Sequence, residues 1–442
     1  MRVAILTAGG AGMFCGSCMH DNTLARALIA AGHEALLVPC YTPIRVDEDN
    51  VSDSRVFLGG VNLYLDHMLP LWRRMPRFVR GTLDRPAVLK LVTRLSRASD
   101  ATALGELTIE LLRGRHGPLA AELPPLVEYL VDELRPDAIL FSNALLGGAL
   151  PPLRERFDGP IACLLQGDDV FLDDLPARHR AAAIALVTEQ AAAFDGYLTH
   201  SRFYADYMAN YLSLPRDRFA QVPLGIDVDA FPLAPHEPGV VPADREPTIG
   251  YFARLAPEKG LHHLVDGALR LQATCPDAAI LIGGYAHPKN EAYQERQFDR
   301  LRARNVRINY VGSPPEHAGK VAALHQCDVF SVPTNFLEPK GLPVLEAIAC
   351  GVPCVQPSHG AFPELIEATG GGVLVPPADP VALAAAWGEL LDDPARRRQF
   401  GEQGRAAVGE RYGMAAMAEQ TATVLTALAD RRTEQPAMQP AM

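Results

Sequence analysis

Short apolar runs alternate with longer segments of helical periodicity along both halves of this chain. Each run is followed by a turn and then a helix, which is typical of parallel strands buried between layers of helices. In the first half the predicted strands are residues 3–7, 35–39, 138–142, 161–165, 196–199 and 219–222. In the second half they are residues 248–252, 279–283, 308–311, 329–333, 354–356 and 372–375. Two such series predict an α/β protein with two doubly wound, Rossmann-like domains.

A proline-rich stretch separates the two series. Residues 231–242 contain four prolines, which is typical of a linker. We therefore expect a first domain over residues 1–240 and a second over residues 241–412. A helix over residues 413–430 follows, and residues 431–442 have almost no side chain able to pack, which predicts a disordered tail.

The composition is that of a globular protein. A length of 442 residues suits two domains of about 200 residues each, and 48% hydrophobic with 21% charged residues excludes a disordered chain. No apolar run approaches the ~20 residues that a membrane span needs, and residues 1–7 predict a strand rather than a signal peptide. The eight cysteines are scattered, so we expect a reducing cytoplasm rather than a disulfide framework.

The charge is unevenly distributed. A net charge of −11 argues against binding to nucleic acid. Residues 61–135 show only helical patterns and predict an insertion in the first domain. Within this insertion, residues 67–97 carry a net charge of +7, so the remainder of the whole chain carries −18. This basic stretch either contacts an anionic membrane surface or acceptor, or is a solvated insertion that covers the sheet.

Glycines follow the first predicted strand. Gly9, Gly10 and Gly12 stand between that strand and a helix, where backbone N–H groups can approach a ligand closely. Their spacing is not that of the dinucleotide fingerprint. A ligand-binding loop and a tight turn both remain open.

Charged side chains stand at two turns of the second half. Arg254 and Lys259 flank a strand-to-helix turn, where two cations could neutralise a diphosphate, although exposed cations are also common in solvated loops. Glu338 and Glu346 stand eight residues apart across a loop that opens a helix. They could accept hydrogen bonds from sugar hydroxyls, or be an ordinary loop acid and helix acid.

Taken together, these motifs resemble the retaining glycosyltransferases of family 4, which have the GT-B fold and are typified by sucrose-phosphate synthases and bacterial mannosyltransferases. Glu338 to Glu346 is similar to the family's Glu-x7-Glu motif. Residues 253–260 are similar to its Gly-Arg-Leu-x-x-Glu-Lys-Gly element, with Ala253 in place of the first glycine. Residues 201–203, 222–227 and 374–379 also match. The matches keep the family's order over roughly residues 1–415.

The resemblance implies a fold and a donor site. The GT-B fold has two facing Rossmann-like domains with the active site in the cleft between them. Arg254 and Lys259 would hold the donor diphosphate, Glu338 would contact the transferred sugar, and Glu346 would bind the ribose. The remaining donor-site positions that the resemblance implies are Lys340, Gly341, Leu342, Gly9, Gly10 and Gly12.

The chain departs from the family pattern at several places. Gln166-Gly167-Asp168-Asp169 stands where the family has His-Gly-Thr-Asp, Lys340 replaces an aromatic residue, and Leu224 replaces an asparagine. The acceptor-site candidates are His20, Asp21, Gln166, Asp168 and Asp169. Cys15, Cys18 and His20 could hold a metal ion, but a fourth ligand is missing nearby, and we expect none. Cys15 and Cys18 could form a redox pair, although the thioredoxin-like setting for one is absent, so close packing or contact with the acceptor is favoured for this segment.

The resemblance implies a retaining glycosyltransferase that needs no cofactor or metal and uses a UDP- or GDP-sugar as donor, and the scattered cysteines predict a cytoplasmic location. Its acceptor would be a glycan, a lipid-linked or a small molecule, with residues 67–97 as a potential contact to the inner face of the membrane. Two alternatives stay open. The first is a protein that binds nucleotide sugars without catalysis, and the second is a GT-B-fold epimerase or phosphorylase.

Overall fold

The computed structural model of the chain describes residues 1–9, 16–46, 48–58, 101–235, 239, 241 and 245–434. The insertion predicted over residues 61–135 is therefore described from residue 101 onwards. The basic stretch 67–97 lies outside the described residues, as do Gly10, Gly12, Cys15 and residues 435–442 of the predicted tail.

The chain folds into two units. The first comprises Met1–Pro223 and Met417–Met442, and the second comprises Leu224–Ala416. The division between them lies at residue 223, whereas the prolines predicted it near residue 240. The reason is that Leu224, Ile226 and Phe231 are already buried in the core of the second unit.

The first unit contains a parallel sheet in which six described strands follow the order β2-β1-β3-β4-β5-β6. The strands are β1 (Arg2–Thr7), β2 (Glu34–Pro39), β3 (Ala138–Phe141), β4 (Ile161–Leu164), β5 (Gly196–Thr199) and β6 (Phe219–Gln221). All six were predicted, and no end differs by more than one residue. The strand order reverses at β1, and in open α/β sheets ligands bind outside the carboxyl ends of the strands at such a point.

Helices connect the strands of this unit. In the described part of the chain they are α1 (Gly16–Ala30), α2 (Ala101–Leu112), α3 (Leu123–Glu128), α4 (Leu150–Arg154), α5 (Asp168–Asp173), α6 (Ala177–Ala191) and α7 (Arg202–Tyr211). Shorter 3-10 or π segments are Gly114–His116, Pro118–Ala121, Tyr129–Leu134, Ala144–Ala149 and Arg216–Arg218. Helix α7 begins after Ser201, whose hydroxyl accepts a hydrogen bond from the Tyr204 backbone N–H at 3.1 Å.

The second unit contains another parallel sheet, in the order β12-β11-β10-β7-β8-β9. Its strands are β7 (Thr248–Phe252), β8 (Ala279–Gly283), β9 (Arg307–Gly312), β10 (Val329–Phe330), β11 (Cys354–Pro357) and β12 (Gly372–Val375). All six were predicted, but β10 is three residues shorter than expected. There the backbone N–H of Val332 donates to the side-chain oxygen of Gln356 at 3.1 Å instead of to a neighbouring strand.

Helices also flank the second sheet. They are α8 (Leu261–Leu271), α9 (Glu291–Arg302), α10 (His317–Leu324), α11 (Leu342–Ala349), α12 (Phe362–Thr369), α13 (Pro380–Asp392) and α14 (Pro394–Arg411), with 3-10 turns at Val228–Ala230, Pro257–Lys259 and Pro288–Asn290. Trp387 of α13 is fully buried and donates from Nε1 to the Ser331 hydroxyl at 3.2 Å. This sheet reverses its order at β7, so the loops after β7 and β10 meet at the switch point.

The last described helix, α15 (Met414–Glu434), packs on the first unit from Met417 onwards. Arg432 donates to the Asp195 carboxylate at 2.7 Å and to the carbonyl of Asp158 at 2.9 Å. The helix therefore continues to Glu434, so the first four residues of the predicted disordered tail, 431–434, are helical. Among the described residues, no helix is both long and apolar enough to cross a membrane.

Candidate functional site

The loop after β10 turns sharply into α11. Gly341 stands at the start of this helix with φ of 86°, a left-handed conformation that side-chain-bearing residues rarely adopt, and Pro343 occupies the first turn. Glu338 lies in the loop and Glu346 lies inside the helix. Both carboxylates are buried, with residue exposures of 5% and 6%.

Glu338 and Lys259, predicted separately from two turns, form an ion pair. The ammonium nitrogen of Lys259 lies 2.7 Å from Oε2 of Glu338. The other oxygen accepts from the backbone N–H groups of Gly341 at 3.3 Å and Lys340 at 3.4 Å. The Lys259 ammonium also lies 4.6 Å from the centre of the Phe336 ring.

These contacts control the protonation of Glu338. Burial acts to raise the pKa of the Glu338 carboxyl, but the charge and hydrogen bond of Lys259, the N–H of Gly341 and the charge of Lys340 together lower it. The net result is a pKa below the ordinary value. The carboxylate is therefore ionised at neutral pH although it is buried.

The turn that carries Lys259 is fixed from two sides. The phenol of the buried Tyr251 donates to the carbonyls of Arg254 and Lys259, both at 3.2 Å. Gly260 follows with φ of 73°, and a Cβ at this position would collide with the carbonyl of Pro333. The turn is thereby held directly against the beginning of the Glu338 loop.

Arg254 faces a different partner from Lys259. Its guanidinium lies 3.1 Å from the carboxylate of Glu258, four residues further along the chain, and its side chain is 53% exposed. Exposed pairs of this kind contribute about 0–1 kcal/mol, so the guanidinium can exchange this partner for a ligand at little cost.

Glu346 is paired with a lysine that none of the sequence motifs includes. The ammonium of Lys320, on α10, lies 3.0 Å from Oε1 of Glu346, and both side chains are 8% exposed. The signal in the sequence is that Lys320 is a lone lysine among the small and apolar residues that dominate His317–Leu324. Each carboxylate of the Glu-x7-Glu motif therefore meets a lysine from another segment.

A second loop, missed by the sequence analysis, supports Glu338 from the far side. Ala361 donates its backbone N–H to the carbonyl of Glu338 at 2.8 Å. Next to it, Gly360 has φ of 61° and lies against the Glu338 backbone. His359 contacts the Thr334 hydroxyl at 3.3 Å, and burial lowers the pKa of its imidazole.

In the first unit, Asp21 and Gln166 form a buried cluster at the switch point. The fully buried Asp21 accepts from the Thr7 hydroxyl at 2.7 Å and from Nε2 of Gln166 at 2.8 Å. Gln166 also donates to the carbonyl of Ser142 at 3.1 Å. Thr7 ends β1, Ser142 directly follows β3, and Gln166 is the second residue after β4, so the carboxyl ends of three strands meet here.

His20 joins this cluster. Its Nδ1 lies 3.7 Å from the carboxylate of Asp21, and its ring packs edge-on against His200 with the centres 4.4 Å apart. His200 also contacts the carbonyl of Val222 through Nδ1 at 3.2 Å. The structure thus brings three of the acceptor-site candidates together.

Asp168 and Asp169 instead hold the loop that carries Gln166. Asp168 accepts from the backbone N–H groups of Ala144 at 2.6 Å and Gln166 at 3.0 Å, and Asp169 accepts from the Tyr204 phenol at 2.5 Å. Burial raises the pKa of Asp168 to about 6, although its two backbone hydrogen bonds lower it. Burial also raises the pKa of Asp169, against the opposing effect of the hydrogen bond from Tyr204.

The remaining candidates give a partial picture. Gly9 has φ of 87°, and a Cβ there would collide with the carbonyl of Thr42, so this glycine serves a close backbone contact. Cys18 is buried. Among the described residues, which do not include Cys15, no group of three or more histidine, cysteine or acidic side chains could hold a metal ion.

Comparison with known proteins adds to this geometry. Residues 237–407 match the family described as "Glycosyl transferases group 1". A glycogen synthase of Mycobacterium tuberculosis is 27% identical over 68% of this chain and 71% of its own length. A GDP-mannose-dependent alpha-(1-6)-phosphatidylinositol monomannoside mannosyltransferase of Mycolicibacterium smegmatis is 29% identical over 62% of this chain and 72% of its own length.

A solved structure shares the fold over nearly the whole chain. The sucrose-phosphate synthase of Thermosynechococcus elongatus superposes with a TM-score of 0.68, covering 97% of this chain and 99% of that one, at 21% identity. The likeness therefore extends over both units.

Replacing Gly360 tests the support of the Glu338 loop. In Gly360→Ala the new Cβ would stand 2.5 Å from the nitrogen and 2.7 Å from the oxygen of the Glu338 backbone. Gly312 has a similar φ of 63° but open space around it, so Gly312→Ala adds only backbone strain of about 1–2 kcal/mol. We expect Gly360→Ala to lower the free energy of unfolding, measured in urea, by a further ~1–3 kcal/mol. Equal losses in both variants would contradict this packing.

Proposed function

We propose that this chain, which has the GT-B fold and whose residues 237–407 match the group 1 glycosyl transferases, transfers a sugar from a nucleotide-diphosphate sugar with retention of configuration. The observation that carries this proposal is the buried, ionised Glu338 beside Lys259, at the start of α11. The identity of the base and sugar is open, with UDP- and GDP-sugars as the candidate donors.

The leaving group requires positive charge. Breaking the bond between C1 of the sugar and the phosphate oxygen places negative charge on the departing diphosphate. We assign Lys259 and Arg254 to this diphosphate, with Arg254 leaving Glu258 when the donor binds. Their two fixed charges can supply the stabilisation that other enzymes obtain from a metal ion, so the proposed reaction requires none.

The sugar requires hydrogen-bond acceptors and precise placement. An ionised carboxylate accepts strong hydrogen bonds from hydroxyl groups, so we assign Glu338 to the hydroxyls of the transferred sugar. The backbone N–H groups of Lys340 and Gly341 hold this carboxylate in place, so these two residues would act on the sugar through Glu338. The N–H of Leu342 lies where α11 begins, and the positive end of the helix favours phosphate or sugar oxygens there. Glu346, deeper in the same helix, is assigned to the ribose.

The transfer step follows front-face displacement. The acceptor oxygen forms a bond to C1 on the face from which the phosphate oxygen departs, and the acceptor proton passes to that phosphate oxygen. The nucleotide diphosphate is released and the configuration at C1 is retained. The protein contributes positioning and charge stabilisation rather than a covalent intermediate.

We assign the acceptor to the first unit. Asp21 and Gln166 present polar side chains at the carboxyl ends of β1 and β4, and His20 lies beside them. Asp168 and Asp169 would act through the loop that they hold. His20, Asp21 and Gln166 are therefore the candidates for contact with the acceptor hydroxyl.

A non-catalytic protein that binds nucleotide sugars is the second candidate function. Gln166 and Lys340 favour it, because a neutral amide that cannot become cationic stands where the family has a histidine, and a charged side chain stands where the family has an aromatic residue. Turnover of a nucleotide sugar separates the two functions. An epimerase or phosphorylase would be distinguished by its products.

Replacing Glu338 tests the enzymatic role. Glu338→Gln keeps the shape of the side chain but removes the charge that pairs with Lys259, so we expect kcat for hydrolysis or transfer of the donor to fall about 10²–10³-fold. The matched control is Glu389→Gln, which changes an exposed glutamate of α13 and should leave kcat within about two-fold. Nucleotide binding by the wild-type protein without turnover of any donor would instead support the second candidate.

Peripheral membrane contact through residues 67–97 is a further part of the proposal. It rests on the +7 charge of this stretch in the sequence and on the relative named for acting on a phosphatidylinositol mannoside. Each basic residue near an anionic surface contributes about 1 kcal/mol. An anionic lipid acceptor would be recruited by the same charges.

Vesicle sedimentation tests the membrane contact. We expect the protein to sediment with vesicles containing phosphatidylglycerol at low salt, and to stay in solution with phosphatidylcholine alone. Changing Arg73, Arg74, Arg77 and Arg80 to glutamine should lower the partition coefficient by roughly 10²-fold or more, because about 1 kcal/mol is lost per charge. Absence of binding to the anionic vesicles at low salt would contradict this part of the proposal.

A further inference from the structure

The buried pair of Lys320 and Glu346 has a role that the motif alone does not give. We infer that Lys320 is a positioning residue, which fixes the carboxylate of Glu346 so that it can bind the ribose hydroxyls of the donor nucleotide. This inference rests on the proposed function, because it takes a nucleotide as the ligand of the second unit. Lys320 would thus contribute to the recognition of ribose through Glu346, and would take no part in breaking the bond between sugar and phosphate.

The contact joins two helices that are separate in the sequence. Lys320 stands in the middle of α10, where it is buried together with Val321, and Glu346 stands in α11 after the Gly341 turn. The ammonium lies 3.0 Å from Oε1 of Glu346 and 5.5 Å from the centre of the Phe231 ring, and Phe231 is itself 2% exposed. The lysine is therefore held on the carboxylate by its surroundings as well as by charge.

The energetics of such a pair favour a function beyond stability. Moving two opposite charges out of water costs free energy, and their mutual attraction does not always compensate for that cost. Apolar side chains of similar volume at the same positions often give a protein of equal stability. Stability alone therefore does not explain why a glutamate occupies this buried position, whereas recognition of a ligand does. Lys320 then offsets the free-energy cost of burying the Glu346 carboxylate.

The chemistry of a carboxylate allows both contacts at once. Its two oxygens offer about four acceptor positions, so the bond to a lysine does not by itself prevent bonds to a pair of neighbouring hydroxyls. A glutamate that is not tied down loses side-chain freedom when a ligand binds. The bond to Lys320 restricts that freedom before the nucleotide arrives, which predicts tighter binding of ribose.

Deoxynucleotides provide the test. The probe is whichever of UDP and GDP binds to the full chain, compared with its 2′-deoxy and 3′-deoxy forms by isothermal titration calorimetry. We expect the wild-type protein to bind the ribose form at least about ten-fold more tightly than one of the deoxy forms. In Lys320→Met, and equally in Glu346→Gln, this preference should fall to within about two-fold, because the fixed carboxylate that binds the ribose hydroxyls is lost. If Lys320 had only a structural role, its replacement would weaken the binding of all three nucleotides alike.

Matched variants make the outcomes distinct. Lys289→Met changes an exposed lysine of the same unit and should keep the wild-type preference. In turnover, Lys320→Met should raise the KM for the donor at least about five-fold with kcat within about three-fold. Should Lys320→Met fail to fold, Lys320→Gln, of similar length but neutral, gives the same comparison.

An unchanged ribose preference in a folded Lys320 variant would overturn the inference. Failure of the wild-type protein to bind any nucleotide would overturn the proposed function itself, and with it the ligand on which the inference rests. Binding by the wild-type protein without preference for ribose would contradict the assignment of Glu346 and Lys320 alone.

Discussion

The ion pair between Lys259 and Glu338 is the interaction on which the candidate donor site depends. Moving a carboxylate out of water costs several kcal/mol even after the protein relaxes, so Glu338 can remain charged in its buried position only with compensating partners. Lys259, at 2.7 Å, and the backbone N–H groups at the start of α11 supply them. Because the pair joins a turn after β7 to a loop after β10, it also fixes the two segments that meet at the switch point of the second sheet.

The local backbone is adapted to this pair. Gly260 and Gly341 both adopt left-handed conformations, one directly after Lys259 and one three residues after Glu338. Gly360 does so in the loop that supports Glu338 from the other side. At Gly260 and Gly360, a side chain would also collide with the neighbouring backbone. Three glycines from separate loops therefore allow one carboxylate and one ammonium to meet.

The sequence predicted the strands well because parallel strands buried on both faces are short apolar runs, a local pattern. It predicted Glu338, Lys259 and Glu346 through motif spacing, which is also local. It could not predict that Lys320 meets Glu346, or that Gly360 touches Glu338, since such contacts join segments that only the fold brings together. The boundary between the units and the end of α15 were predicted at the wrong residues for the same reason: Leu224 and Arg432 contact residues that are far away in the chain.

We infer that Lys259 and Glu338 act as one charged unit inside the protein. A double-mutant cycle of Lys259→Met and Glu338→Gln, read as the free energy of unfolding at neutral pH, measures whether the two side chains depend on each other. Each single variant leaves a buried charge or polar group without its partner, so we predict a coupling energy of about 1–3 kcal/mol between the two changes. Because the pKa of Glu338 is lowered in the folded protein, this coupling should persist above the ordinary glutamate pKa and disappear as the pH falls through the lowered value. Additive effects of the two substitutions at neutral pH would contradict the claim.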